Sequence, residues 1–219
     1  MRVDIRDIQT PYEFRLPNGR VLFKIEEAVL SHERFSGPMG SEITRVNFER
    51  GDGVGVLLYD EAERAVILVE QFRFPVHRRE GASPEGNAWL LEIVAGIKDG
   101  DGPSVARKEV LEETGYELSH PPEHLSTFYL SPGGSSEQME LYLARVRKSP
   151  GGPHHGGVAS EGEDIRVHAL PLDKAIEQVS DGRIRDAKTI VALLMLRQRD
   201  LGRKQGGSIA ERVDDQGER

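Results

Sequence analysis

Over roughly the first 50 residues, apolar and polar positions alternate in short blocks parted by turn formers. VLFKIEEAVL and EITRVNFER alternate or cluster apolar residues as strands do. LPNGR at 16–20 contains Asn18-Gly19, a hairpin signal between extended segments. The pattern then becomes more apolar. GVGVLLYD (53–60) and RAVILVEQFRF (64–74) are near-continuous Val/Leu/Ile runs separated by a polar turn, as in strands buried on both faces. HRREGASPEGNA (77–88) predicts a polar loop, and WLLEIVAG (89–96) predicts one more apolar strand that opens on a core Trp89.

From residue 103 the period changes. Ala106, Val110 and Leu111 form an apolar stripe at helical spacing, Ser104 after Pro103 is the expected N-cap, and Gly115 is placed to end the helix in the left-handed conformation. Strands are predicted around 125–130 and 138–147, joined by the turn SPGGSSE. KSPGGPHHGGVASEGED (148–164), rich in Gly, Pro and His, predicts a mobile loop. DIRVHALPL reads as a strand, DKAIEQVSDG as a helix closing at Gly182, DAKTIVALLMLRQRDL as a longer helix, and the final stretch from residue 201 as a frayed tail. Strands dominate, with one helix in mid-chain and two near the end. The expected class is therefore α+β or a mixed-sheet sandwich, not a doubly wound fold.

At 219 residues, 37% hydrophobic and 30% charged, the chain can bury one core of ordinary size. A net charge of −8 without a sustained basic patch argues against a nucleic-acid partner. The absence of cysteine excludes disulfides, thiolate metal sites and a cysteine nucleophile. MRVDIRDIQT holds no apolar run of the signal-peptide kind, and no stretch approaches the ~20 apolar residues of a membrane span. The expectation is a cytoplasmic protein with no membrane partner.

RKEVLEETGY (107–116) then raises a chemical question. On a helix Glu109, Glu112 and Glu113 fall within one arc, and like charges at these spacings repel by a few tenths of a kcal/mol per pair. Clustered carboxylate oxygens suit a hard divalent cation, which commonly bridges protein and phosphate oxygens. The plainer reading is a solvated acidic face, and an isolated EXXEE favours it. The setting changes that balance. The glycine-rich turn GIKDGDG (96–102), fed by WLLEIVAG, lets the backbone near Ala95-Gly96 approach the helix face.

Residues 96–116 resemble the Nudix box, which runs Gly, five residues, Glu, seven residues, then Arg-Glu-hydrophobic-any-Glu-Glu-any-Gly-hydrophobic. Residues 108–116 match the second half except that Lys108 stands where Arg is usual. The first half is two residues shorter and lacks its isolated Glu, for which Asp101 is a candidate substitute. FERGDGVGVLLYD, VEQFRFP, WLLEIVAG, LSPGGSSE and EGEDIRVH, in that order, are similar to segments of the ADP-ribose pyrophosphatase group within Nudix hydrolases. The relatives acting on GDP-mannose share SPGG, Arg-Lys-Glu and a shortened box.

The resemblance implies an α/β/α sandwich on a mixed sheet, spanning 49–200, with an N-terminal antiparallel β extension over 1–48 and the tail from 201. It implies Mg²⁺, with Mn²⁺ the alternative, held by Glu109, Glu113, Glu163 and the Ala95 carbonyl. It implies catalytic carboxylates at Glu112 and at Glu161, the latter as the loop base. Arg73 matches a phosphate-contacting arginine, Glu137 a substrate-side glutamate, and Arg45 a residue reaching the nucleotide across a dimer interface. Gly133 and Gly134 are either turn formers or points where backbone approaches the diphosphate. The implied partners are a nucleoside diphosphate sugar and a second copy of the chain. The implied reaction is ADP-ribose to AMP and ribose 5-phosphate, with GDP-mannose to GMP and mannose 1-phosphate as the alternative. A non-catalytic ligand sensor is the reading from another class. His154-His155 tempt toward a transition-metal site, but adjacent loop histidines rarely converge on one ion.

Overall fold

The computed structural model describes residues 1–80, 88–147, 155–158 and 162–214. The chain divides into two compact units, Met1–Gly53 with Thr127–Met139, and Val54–Ser126 with Glu140–Arg219.

The first unit is built on an antiparallel sheet in the order β1 (Val3–Arg15), β2 (Val21–His32), β3 (Ile43–Glu49). The Asn18-Gly19 hairpin forms as expected, with Gly19 at φ 83 and its N–H donating to Leu16 O at 2.8 Å. Phe14 stacks on Phe23 at 5.5 Å, and Phe23 meets Phe48 of β3 at 5.2 Å. The SPGG turn is stitched to β3, with Phe48 N–H donating to Gly134 O at 2.8 Å and Ser135 Oγ donating to Phe48 O at 2.9 Å.

The second unit centres on a mixed sheet in the order β10-β11-β5-β4-β9-β8, with β6 beside β5 and β7 beside β4. The strands are β4 (Gly53–Asp60), β5 (Ala65–Phe72), β6 (Trp89–Glu92), β7 (Val94–Ile97), β8 (Glu123–Tyr129), β9 (Gln138–Arg145), β10 (His155–Gly156) and β11 (Ile165–Pro171). Every residue of β4 is buried, so helices cover both faces of the sheet, as its unbroken apolar run predicts. Val54, Val56, Leu58, Ile67, Val69 and Ile165 pack with Val105, Ala106 and Val110 of α2 (Gly102–Thr114). Helices α3 (Leu172–Ser180) and α4 (Ala187–Asp214) pack on β5, β6 and β11. The result is the α/β/α sandwich with an antiparallel N-terminal sheet. Among the described residues no helix is long and apolar enough to cross a membrane.

Four local expectations are corrected. WLLEIVAG is two strands, because Ile93 N–H donates to Thr189 Oγ1 at 2.8 Å and leaves the ladder, so that β6 pairs with β5 and β7 with β4. Trp89 is 52% exposed and sits against Phe72 at 5.2 Å, outside the core. Residues 77–80 belong to a short helix α1 (Phe74–Glu80). The N-cap of α2 is Asp101, whose side chain accepts from Ser104 N–H at 3.2 Å, because Pro103 fits the first helical turn, where its missing N–H costs nothing.

Within the segment expected to be a mobile loop, His155–Gly156 form β10 against β11, while 148–154 and 159–161 lie outside the described residues. The helix α4 continues to Asp214, across most of the stretch from 201.

Candidate active site

Helix α2 carries the acidic cluster on a rigid frame. Its C-terminal end is closed by Gly115 at φ 69, whose N–H donates to Leu111 O. Within this frame Glu113 is only 3% exposed, and its Oε2 is buried with no hydrogen-bond partner among the described residues. Burial, then the negative charges of Glu109 and Glu163, push its carboxyl up to about 8; Arg73 and the Ala95 backbone amide pull only partly the other way. Glu109 is half-buried and also raised, chiefly by burial, with Lys108 at 3.4 Å opposing the shift. Glu112 is more open and is paired with Lys108 at 3.4 Å.

Two backbone approaches position the rest. A Cβ added at Gly96 would fall 2.2 Å from the Glu109 side chain, so a larger residue there would push that carboxylate away from β7. A Cβ added at Gly156 would fall 1.9 Å from Glu113 O, and Gly157 N–H donates to Glu112 O at 2.9 Å. Strand β10 is thus docked on the last turn of α2. Just beyond it, Glu163 Oε2 accepts from Val158 N–H at 3.0 Å. These contacts bring Glu163, fifty residues downstream, into the electrostatic neighbourhood of Glu113.

A second charged group lies in the same unit. Glu92, 1% exposed, receives a two-pronged pair from Arg73 (Nε to Oε1 2.8 Å, Nη2 to Oε2 2.9 Å) and a hydrogen bond from Lys188 Nζ. Lys188 also lies 3.0 Å from Asp186, which caps α4 by accepting from Thr189 N–H and Oγ1. Burial opposes ionisation of Glu92, but the two cations outweigh it and hold its carboxyl below the usual range.

The structure therefore gathers Glu109, Glu112, Glu113, Glu163, Ala95 and Arg73 within one unit. Arg45, Gly133, Gly134 and Glu137 belong to the other. There Arg45 is exposed on β3 with Nη1 on Thr44 O at 2.9 Å, and Glu137 is half-buried 3.7 Å from Arg50. Glu161 and His154 lie outside the described residues, and His155 is exposed on β10 opposite Arg166.

Sequence reasoning missed Glu92, Lys188 and the Gly156-Gly157 contact. A glutamate inside WLLEIVAG and a lysine opening TIVALLML are charges within apolar runs, and such charges imply a buried partner.

Residues 49–194 match the model of the NUDIX domain family. The chain belongs to the NUDIX family. It is 39% identical over 172 residues to a GDP-mannose pyrophosphatase of Pectobacterium atrosepticum, covering 78% of this chain and 85% of the relative. It is 35% identical over 179 residues to an ADP-ribose pyrophosphatase of Escherichia coli, covering 81% of this chain and 82% of the relative. A crystal structure of an ADP compounds hydrolase superposes with a TM-score of 0.62 at 17% identity, covering 93% of this chain and 96% of that one, a likeness of fold.

Nudix hydrolases depend on divalent metal. Among the described residues no three or more acidic or histidine side chains form a ready-made ligand cluster. The donor chemistry nevertheless fits a hard cation. Glu109, Glu113 and Glu163 repel one another, Lys108 and Arg73 offset that repulsion only in part, and one buried Glu113 oxygen has no partner among the described residues.

Proposed function

We propose that this Nudix enzyme hydrolyses the pyrophosphate bond of nucleoside diphosphate sugars, with ADP-ribose preferred and AMP plus ribose 5-phosphate as products. The observation that carries the reading is Glu113 on the helix of the Nudix box, buried, unpartnered at Oε2, and raised to about 8 first by burial and then by the charges of Glu109 and Glu163. Glu109, Glu113, Glu163 and the Ala95 carbonyl would hold Mg²⁺, with Mn²⁺ the alternative. When bound, such cations offset phosphate charge and ease proton loss from water.

The chain's own residues divide the remaining work. Glu161 takes the proton of the attacking water as general base. The water oxygen bonds to phosphorus while the bond to the bridging oxygen breaks, and the nucleoside monophosphate and sugar phosphate leave. Glu112 supports the acidic face, and Arg73 offers a guanidinium to the phosphate oxygens. Arg45, Gly133, Gly134 and Glu137 serve the nucleotide and sugar.

A second reading, hydrolysis of GDP-mannose to GMP and mannose 1-phosphate, is favoured by the 39% identical relative named for that substrate. A phosphatase-coupled phosphate-release screen over ADP-ribose, GDP-mannose, ADP-glucose and NADH, each with Mg²⁺ and with Mn²⁺, separates the two. The highest kcat/KM on ADP-ribose supports the first reading, and the highest on GDP-mannose supports the second. No turnover of any of them overturns both.

The working form proposed is a homodimer joined through the N-terminal sheet. On β1, Val3, Ile5, Ile8, Tyr12 and Phe14 are each more than 40% exposed in the isolated chain, an apolar strand that a second copy would cover. Sedimentation at micromolar concentration is expected to give twice the chain mass, and a monomer there overturns the dimer.

A further inference from the structure

Arg73 occupies a singular position between the two charged groups of the catalytic unit. Its Nε and Nη2 are spent on Glu92, its Nη1 has no acceptor among the described residues, and its side chain stays 37% exposed. The guanidinium is close enough to Glu113 to favour that carboxylate's ionised form. An ordinary buried pair would need one cation on Glu92. Here there are two, because Lys188, 8% exposed, donates to the same Oε2 that Arg73 uses.

We propose that Lys188 is a positioning residue for phosphate binding: by sharing Glu92 with Arg73, it fixes the guanidinium plane while leaving its Nη1 edge cationic for the diphosphate. The proposal rests on the pyrophosphatase reading and names the residue that makes Arg73 fit for it. Alone against Arg73, the Glu92 carboxylate would cancel the guanidinium charge in a low-dielectric setting. With Lys188 on one oxygen, Glu92 is divided between two cations. Asp186 balances Lys188 from 3.0 Å, but its own charge is also drawn to the first turn of α4 through Thr189 N–H at 3.0 Å. The two cations and two anions balance, and with Nε and Nη2 of Arg73 committed to Glu92 the donor edge left open lies at the partly exposed end of the network, on Arg73 Nη1.

The same network fixes the backbone. Thr189 Oγ1, held by Asp186 Oδ2 at 2.6 Å, accepts from Ile93 N–H at the corner between β6 and β7, two residues before Ala95. One turn of α4 thus positions both the arginine and the strand that presents the Ala95 carbonyl.

The test uses the full chain. Lys188→Met alone leaves buried negative charge and is at risk of not folding, so Lys188→Met with Asp186→Asn, which removes one charge of each sign and keeps a capping side chain, is made beside it. Steady-state kinetics on whichever sugar nucleotide the unmutated protein turns over is expected to show KM raised roughly tenfold, the size of one charge-assisted hydrogen bond, with kcat little changed. Lys188→Arg is expected to restore KM. In an Arg73→Met background the same pair of changes is expected to add nothing, whereas a merely structural role predicts additive losses. An unchanged KM in the folded double variant, or additivity with Arg73→Met, overturns the proposal.

Calorimetry with inorganic pyrophosphate and Mg²⁺ is the arm that does not need turnover. A Kd weakened roughly tenfold in the double variant supports the proposal. Equal Kd values, or no binding by the unmutated protein, overturn it. If no sugar nucleotide is hydrolysed, the pyrophosphatase reading falls by itself and the calorimetric comparison still decides the role of Lys188.

Discussion

Glu92 and Glu113 are the same residue type in the same unit, 1% and 3% exposed, yet the protein treats them in opposite ways. Glu92 is surrounded by Arg73 and Lys188, so it stays ionised despite burial. Glu113 is surrounded by Glu109 and Glu163, has one oxygen without a partner, and takes up a proton up to about pH 8. Two cations are hydrogen-bonded to the first carboxylate, whereas the second has acidic neighbours that Arg73 offsets only in part. An uncompensated buried acid in a fold that compensates its neighbour is a functional signal, because burial penalises both groups alike.

The sharpest way to break the comparison is Glu113→Gln. Turnover with divalent metal is expected to fall by on the order of 1000-fold or more, at the upper end of what losing one well-placed transition-state contact costs. The metal-free variant is expected to be more stable than the unmutated protein at pH 8, as thermal melts in EDTA would check. A ligand sensor would lose no metal-free affinity for nucleotide sugars on this change, so equilibrium binding separates enzyme from sensor. Next in size is Glu92→Gln. It leaves buried Lys188 and half-buried Arg73 without their shared anion, and is expected to cost roughly 3 kcal/mol in denaturant unfolding.

The pH dependence separates the two groups by sign. Glu113 holds its proton more tightly folded than unfolded, so its contribution to metal-free stability is full below about 4.5 and is lost as pH rises through about 8. Its slope is at most about 1.4 kcal/mol per pH unit. Glu92, lowered in the fold, contributes above 4.5 and loses that contribution as pH falls. Denaturant melts from pH 5 to 9 in EDTA should show the alkaline decline, and Glu113→Gln should remove it. The smallest effect is Lys108→Met. Lys108 sits on the exposed edge of the cluster, so its loss is expected to change stability by ~1 kcal/mol or less, measured in the same melts.

Much of this arrangement was legible in the sequence. The strands Gly53–Asp60 and Ala65–Phe72, the hairpin at Asn18-Gly19, and the helix ending at Gly115 follow from local pattern, because apolar period and turn chemistry act over a few residues. Glu109, Glu112 and Glu113 were legible because helical spacing alone puts them on one arc. What was not legible depends on partners far along the chain. The break at Ile93 requires Thr189, the docking of β10 requires a carbonyl of α2, and the pairing of Glu92 requires Lys188. Trp89 looked like core because it opens an apolar run, but a strand's first residue can face outward while the next turns in. Asp101 was missed as the cap because Ser104 satisfied the same pattern from inside the helix.

The anchoring of Gly156 and Gly157 on the end of α2 has a consequence for how such a chain tolerates change. Glu163 is registered to α2 through those two glycines and Val158, so a change at any of these three positions reaches Glu163 as well as the helix end. A single methyl group at Gly156 would collide with the Glu113 carbonyl and part the acidic cluster from the strand that follows it.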